Sequence, residues 1–105
     1  MQIQVNTDSN IDGRDKLTAH VESVVESTLN RLSDRITRVE VHLSDQNGDK
    51  SGQDDKRCMM EARLKGRRPT AVTHAAATLD QAIDGAVDRI QRSIESVLGR
   101  LQDQG

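Results

Sequence analysis

Hydrophobic positions along this chain recur with two different periods, and the switches between them lay out six elements. Gln2 to Asn6 alternates, with Ile3 and Val5 on one face, and predicts a short first strand. The period then lengthens. Leu17, Val21, Val24, Val25, Thr28, Leu29 and Leu32 keep the spacing of one buried helical face, with Asp12 ahead of them as the expected N-cap. From Ile36 to Leu43 the period returns to two, turning Val39, Val41 and Leu43 inward and Arg38, Glu40 and His42 outward. A third strand, Arg57 to Lys65, sends Cys58, Met60, Ala62 and Leu64 inward and Arg57, Arg63 and Lys65 outward. Gly66-Arg67-Arg68-Pro69 is a turn signal, because glycine tolerates positive φ and proline presets a turn dihedral, and a fourth strand follows from Thr70 to Ala75. A final helix runs from Thr78 to around Gln102, its apolar face built from Leu79, Ile83, Ala86, Val87, Ile90, Ile94, Val97, Leu98 and Leu101.

The order is therefore β-α-β-β-β-α, an α+β fold. A strand, a crossover helix and a second strand in one sheet make a right-handed connection, and the hairpins that follow add strands three and four antiparallel. This predicts a four-stranded mixed sheet with two helices packed on one face. The other face is left to Gln2, Gln4, Arg38, Glu40, His42, Arg57, Glu61, Arg63 and Lys65, a polar and net basic surface. Ser44 to Lys56 is too polar to bury apolar surface and reads as a long, flexible hairpin connection.

At 105 residues the chain is expected to fold as one domain over its whole length. Phe, Tyr and Trp are absent, so the core must be assembled from aliphatic side chains, and no platform for stacking bases exists. That argues against a reader of single-stranded RNA and leaves backbone and shape contacts. Fifteen Lys and Arg against seventeen Asp and Glu give a net charge of −2, so any polyanion partner must be met by a local patch. Cys58 is the single cysteine, which excludes a disulfide framework and fits a reducing compartment. With neither a signal-peptide pattern nor a run of ~20 apolar residues, a soluble, cytoplasmic protein with no membrane partner is expected.

Candidate chemistry is sparse. Asp45-Gln46-Asn47-Gly48-Asp49-Lys50-Ser51 begins like a calcium loop, but Lys50 stands where the sharp turn needs glycine and Lys56 where a bidentate Glu should close the sphere. His20, His42, His74 and Cys58 have no ligand spacing, and Cys58 and His42 should lie on opposite faces of the sheet, so no zinc or other metal site is expected. No nucleophile with its base, paired-carboxylate cleft or phosphate-cradling loop can be placed on converging elements. The chain reads as a binding module without a cofactor, not an enzyme.

Two basic constellations remain. At 100° per residue Gly85, Arg89, Arg92 and Ser96 share one stripe of the last helix, nearly opposite its apolar face. Asp84, Asp88 and Glu95 adjoin it, so Arg89 and Arg92 can equally be a solvated face. The second is the open sheet face, where Arg38, Arg57, Arg63 and Lys65 gather, joined by Arg67 and Arg68 at the turn and diluted by Glu40 and Glu61. Cross-strand ion pairs are the competing use of those side chains.

The element order together with Ala82-Ile83-Asp84, then Asp88-Arg89, then Arg92 resembles the ribosome hibernation factor family of hibernation-promoting factors and ribosome-associated translation inhibitors. Gln2-Ile3-Gln4-Val5 and Arg38-Val39-Glu40-Val41 fit its strands less specifically. The resemblance implies a monomer that binds rRNA of the small ribosomal subunit in the channel of messenger and transfer RNA, keeping idle ribosomes silent under stress, with no chemistry and no DNA partner. A chain of this length looks like the short form, without the domain that pairs ribosomes. Two departures stand out. The basic stripe stops at Arg92 with Arg100 alone beyond it, where family tails are often lysine-rich, and Asp80 stands near where Tyr is often found. The rival of another class is an adaptor that docks an acidic protein on the sheet face. A double-stranded RNA module ranks below both, because Thr78-Leu79-Asp80-Gln81 begins the last helix where such a module needs lysines.

Overall fold

The computed structural model describes residues 1–8, 11, 13–45 and 55–104, with side chains as far as residue 99. The chain runs through β1 (Gln2–Thr7), α1 (Arg14–Leu29), a 3-10 helix (Asn30–Arg35), β2 (Ile36–Asp45), β3 (Lys56–Leu64), β4 (Thr70–Ala76) and α2 (Leu79–Gln104). The β-α-β-β-β-α order and the α+β class are those that the periodicity predicts. Of the connection expected over residues 44–56, the central part, 46–54, lies outside the described residues, as does the N-cap assigned to Asp12.

The strands stand in the order β1-β2-β3-β4, with β1 parallel to β2 and both later pairings antiparallel. A parallel pair needs a long crossover, and α1 supplies it. On the inner face Val39, Val41, Cys58, Met60 and Ala62 are fully buried, met by Val21, Val25 and Leu29 of α1 and by Ala82, Ile83, Ala86, Ile90 and Ile94 of α2. Each larger aliphatic side chain removed from water in this way contributes about 1.5–3 kcal/mol, so a core without a single ring still closes. α2 lies on β3 and β4, and α1 lies beside it over β1.

The helix ends depart from the sequence reading. α1 is entered through Gly13, whose φ of 71° is natural for glycine, and no side chain caps it. It ends at Leu29 rather than Leu32, because Asn30-Arg31-Leu32-Ser33-Asp34 is rich in residues whose side chains compete with helical bonds, and the chain tightens into the 3-10 turn. Ile36 then donates its backbone N–H to the Ser33 carbonyl as β2 begins. Lys65, expected inside the third strand, lies just past its end at Leu64. α2 has the firmer start: Thr78 Oγ1 accepts a hydrogen bond from the Gln81 backbone N–H at 3.1 Å.

Candidate nucleic-acid interface

The pleat puts Arg38, Glu40 and His42 of β2 and Arg57, Met59, Glu61 and Arg63 of β3 on the face away from the helices, and the pairing register decides what each meets. Arg38 stands directly opposite Arg63, and in the next outward row Glu40 stands opposite Glu61. Like charges facing each other across a ladder are unfavourable. They are reconciled along the strands rather than across them: Arg38 Nη2 lies 3.0 Å from Glu40 Oε1, and Arg63 Nε lies 3.6 Å from Glu61 Oε1. The four side chains form a square of alternating partners, and Arg38 also donates to Gln4 Oε1 on β1. The cross-strand ion pairs weighed from the sequence are thus replaced by pairs within each strand.

Arg57 lies outside this square. It faces Ser44 at the far end of the ladder, exposed, with no ion pair among the described residues. His42 and Met59 fill the row between, and Met59 is one of two large hydrophobic side chains left exposed among the described residues.

The helical arginines sit elsewhere, because α2 covers the opposite face of the sheet. Arg89 leans over the β4 edge and donates through Nη1 to the Thr73 carbonyl at 3.4 Å. Arg92 points into solvent and pairs with Asp88 at 3.2 Å, an i, i+4 contact with both side chains more than half exposed. Such a pair is worth only about 0.2–0.5 kcal/mol, so Arg92 is readily redirected. The inner margin of the stripe is not opposite the apolar face as the helical wheel suggests: a Cβ at Gly85 would run into the imidazole of His74 on β4. Five of the predicted residues therefore occupy three places, with Arg38 and Arg63 together, Arg57 at the loop end of the sheet, and Arg89 and Arg92 on the helical layer.

Lys65 joins a fourth group. Its backbone N–H donates to the Arg35 carbonyl at 2.9 Å, which ties the end of β3 to the start of β2. Arg67 closes the turn by donating its N–H to the Leu64 carbonyl at 3.2 Å, with Gly66 at a φ of +67°. Arg35 escapes a reading by sequence alone, since only the β2–β3 register places it beside Lys65.

The described titratable groups offer no catalytic pairing. Lys56 opens β3 opposite Asp45, and its ammonium lies 3.1 Å from Asp45 Oδ1 and 3.3 Å from Asp55 Oδ2. Burial works against that charge, but hydrogen bonds and attraction from the two carboxylates outweigh it and hold the Lys56 pKa above its ordinary value. Asp8 braces the same corner, accepting the Asp45 N–H at 3.0 Å. Cys58 is buried, and its thiol is pushed up to about 12 by that burial. It faces His74 across the β3–β4 ladder, yet among the described residues no three metal-binding side chains gather, and no described helix is long and apolar enough to cross a membrane.

Comparison with known proteins matches the chain to a family. The family model described as sigma 54 modulation protein / S30EA ribosomal protein matches residues 3–102. The crystal structure of the Thermus thermophilus Protein Y N-terminal domain is similar at 27% identity and a TM-score of 0.67, covering 92% of this chain and 99% of that one. A ribosomal subunit interface protein from Coxiella burnetii shares the fold at 13% identity and a TM-score of 0.69, covering 94% of this chain and 99% of its own. No curated protein matches the sequence at a significant level.

Proposed function

Because this chain belongs to the sigma 54 modulation protein / S30EA ribosomal protein family, a family of ribosome-associated factors and not of enzymes, we propose that it binds the small ribosomal subunit. Bound in the channel that messenger and transfer RNA otherwise occupy, it inhibits translation by steric occupancy and keeps idle ribosomes silent during stress, acting in the cytoplasm as a monomer. The observation that carries this reading is the family match, which runs over residues 3–102, from within β1 to the last turn of α2.

The geometry supports the same reading. A sheet with one face packed and the other polar offers a broad, rigid surface, and the exposed arginines supply phosphate contacts that need no base stacking. Arg89 and Arg92 reach rRNA from the helical layer, while Arg38, Arg57, Arg63 and Lys65 reach it from the sheet. Such contacts release counterions, so binding weakens steeply with salt.

Co-sedimentation of the protein with ribosomes and separated subunits at low and moderate salt tests the proposal, beside an Arg89→Glu, Arg92→Glu variant whose fold is verified by circular dichroism. Co-migration with the small subunit, lost by the variant and accompanied by inhibition of cell-free translation, is the expected result. Absence of wild-type binding at both salts overturns it and hands the sheet face to an acidic protein partner.

A further inference from the structure

We infer that the end of the sheet where Arg35, Lys65, Arg67 and Arg68 converge is a binding site for the sugar-phosphate backbone of RNA, and that it carries more of the binding than the arginines of α2. The second half of this inference rests on the ribosomal reading above; the first half does not.

Several of the fold's cations are already neutralised. Arg31 pairs with Glu95, Arg38 with Glu40, Arg63 with Glu61, Arg92 with Asp88, and Lys56 with two aspartates. Arg35, Lys65, Arg67 and Arg68 are all exposed and have no carboxylate partner among the described residues. A phosphate that approaches Arg92 also meets the charge of Asp88, whereas Arg67 and Arg68 at the turn have no carboxylate paired with them among the described residues. Asp34 adjoins Arg35 in the chain, while no acidic residue adjoins Arg67 or Arg68.

The backbone holds these four charges in place. The Lys65–Arg35 bond joins two segments distant in sequence, the Arg67–Leu64 bond and Gly66 close the turn, and Pro69 restricts the exit into β4. Long cationic side chains on a fixed backbone lose less freedom on binding than they would on a mobile loop. Beside them lies an open groove of 510 Å³ lined by Gly66, Arg67, Arg68, Pro69, Thr70 and Val97. Arginines lining it together with the apolar side chains of Pro69 and Val97 suit a ribose-phosphate strand, since guanidinium binds phosphate oxygens in pairs and the apolar lining asks for no base-specific bond.

The test measures salt-dependent binding of three proteins, wild type, Arg67→Ala/Arg68→Ala and Arg89→Ala/Arg92→Ala, to purified small subunits and to a short RNA hairpin. Arg67 and Arg68 have no side-chain partners among the described residues, so the turn variant keeps its fold, which circular dichroism checks. Each lost phosphate contact lowers the salt slope by about 1, so the turn variant should bind both ligands about tenfold or more weakly at moderate salt with a slope shallower by about 2, and the helix variant should lose less. Turn-variant binding to both ligands that equals wild type overturns the site and leaves the ribosomal reading standing. Hairpin binding that needs the turn, with no wild-type binding to subunits, retains the RNA site and overturns both its ribosomal role and the function proposed above.

Discussion

The imidazole of His74 on β4 occupies the space that a side chain at Gly85 of α2 would need. A helix glycine is thereby explained by a neighbour rather than by backbone freedom, and α2 can settle close to the edge of the sheet.

Gly85→Ala should destabilise the protein even though alanine favours a helix interior by about 1 kcal/mol, because overpacking against a ring costs about 1–3 kcal/mol. In a His74→Ala background the sign should reverse, with Gly85→Ala stabilising by about 0.5–1 kcal/mol. Urea unfolding of the four members of this cycle reads the result, and the same sign in both backgrounds would remove the ring from the explanation.

Glu40 and Glu61 hold Arg38 and Arg63 to themselves along their strands. The Glu40→Gln, Glu61→Gln variant frees both arginines, so its affinity for small subunits should rise and its salt slope steepen by about 2 if the sheet face meets phosphate. Unchanged affinity and slope would take the sheet face out of the interface.

Lys56 sits between Asp45 and Asp55, both largely buried. Replacing it by methionine takes a cation away from two carboxylates that have little access to water, and the urea midpoint at neutral pH should fall. Lys56→Arg, which keeps the charge, should recover part of that midpoint. A Lys56→Arg midpoint as low as that of the methionine variant would point to lost packing instead.

Cys58 has its thiol raised from 9.0 to about 12 by burial, so it should resist alkylation at pH 8 until the chain unfolds. The folded state holds this proton more tightly than the unfolded chain does. Its contribution to stability is therefore complete below about pH 9, where the unfolded thiol titrates, and is lost as the pH rises through the folded value. Lys56, also raised, acts in the same direction at alkaline pH. Cys58→Ala should lose less stability than wild type between pH 8 and 10.5, measured by urea midpoints, even though its smaller side chain lowers stability throughout.

The alternation of Val39, Val41 and Leu43 and the spacing of Ile83, Ile90 and Ile94 could be read in the sequence because one face of each element is buried, and burial writes a period into the chain. The arrangement of charges was less legible. A helical wheel fixes angles about the axis of α2 but not how the helix is rolled on the sheet, and that roll turns Gly85 toward His74 and lets Arg89 reach Thr73. Likewise, alternation marks Arg38 and Arg63 as outward without saying which row either occupies. The connection between their strands is too long for its turn type to set the register, so neither the charge square nor the meeting of Arg35 with Lys65 follows from spacing.

Neighbours in this sheet are also neighbours along the chain, and that simple order bears on how the protein assembles. β2, β3, β4 and α2 can form from consecutive contacts, each costing only a local loop closure. β1 has one partner strand, and it reaches that partner only after α1 has crossed over. β1 therefore joins the sheet through a long loop closure, which α1 offsets by packing Val21, Val25 and Leu29 into the core.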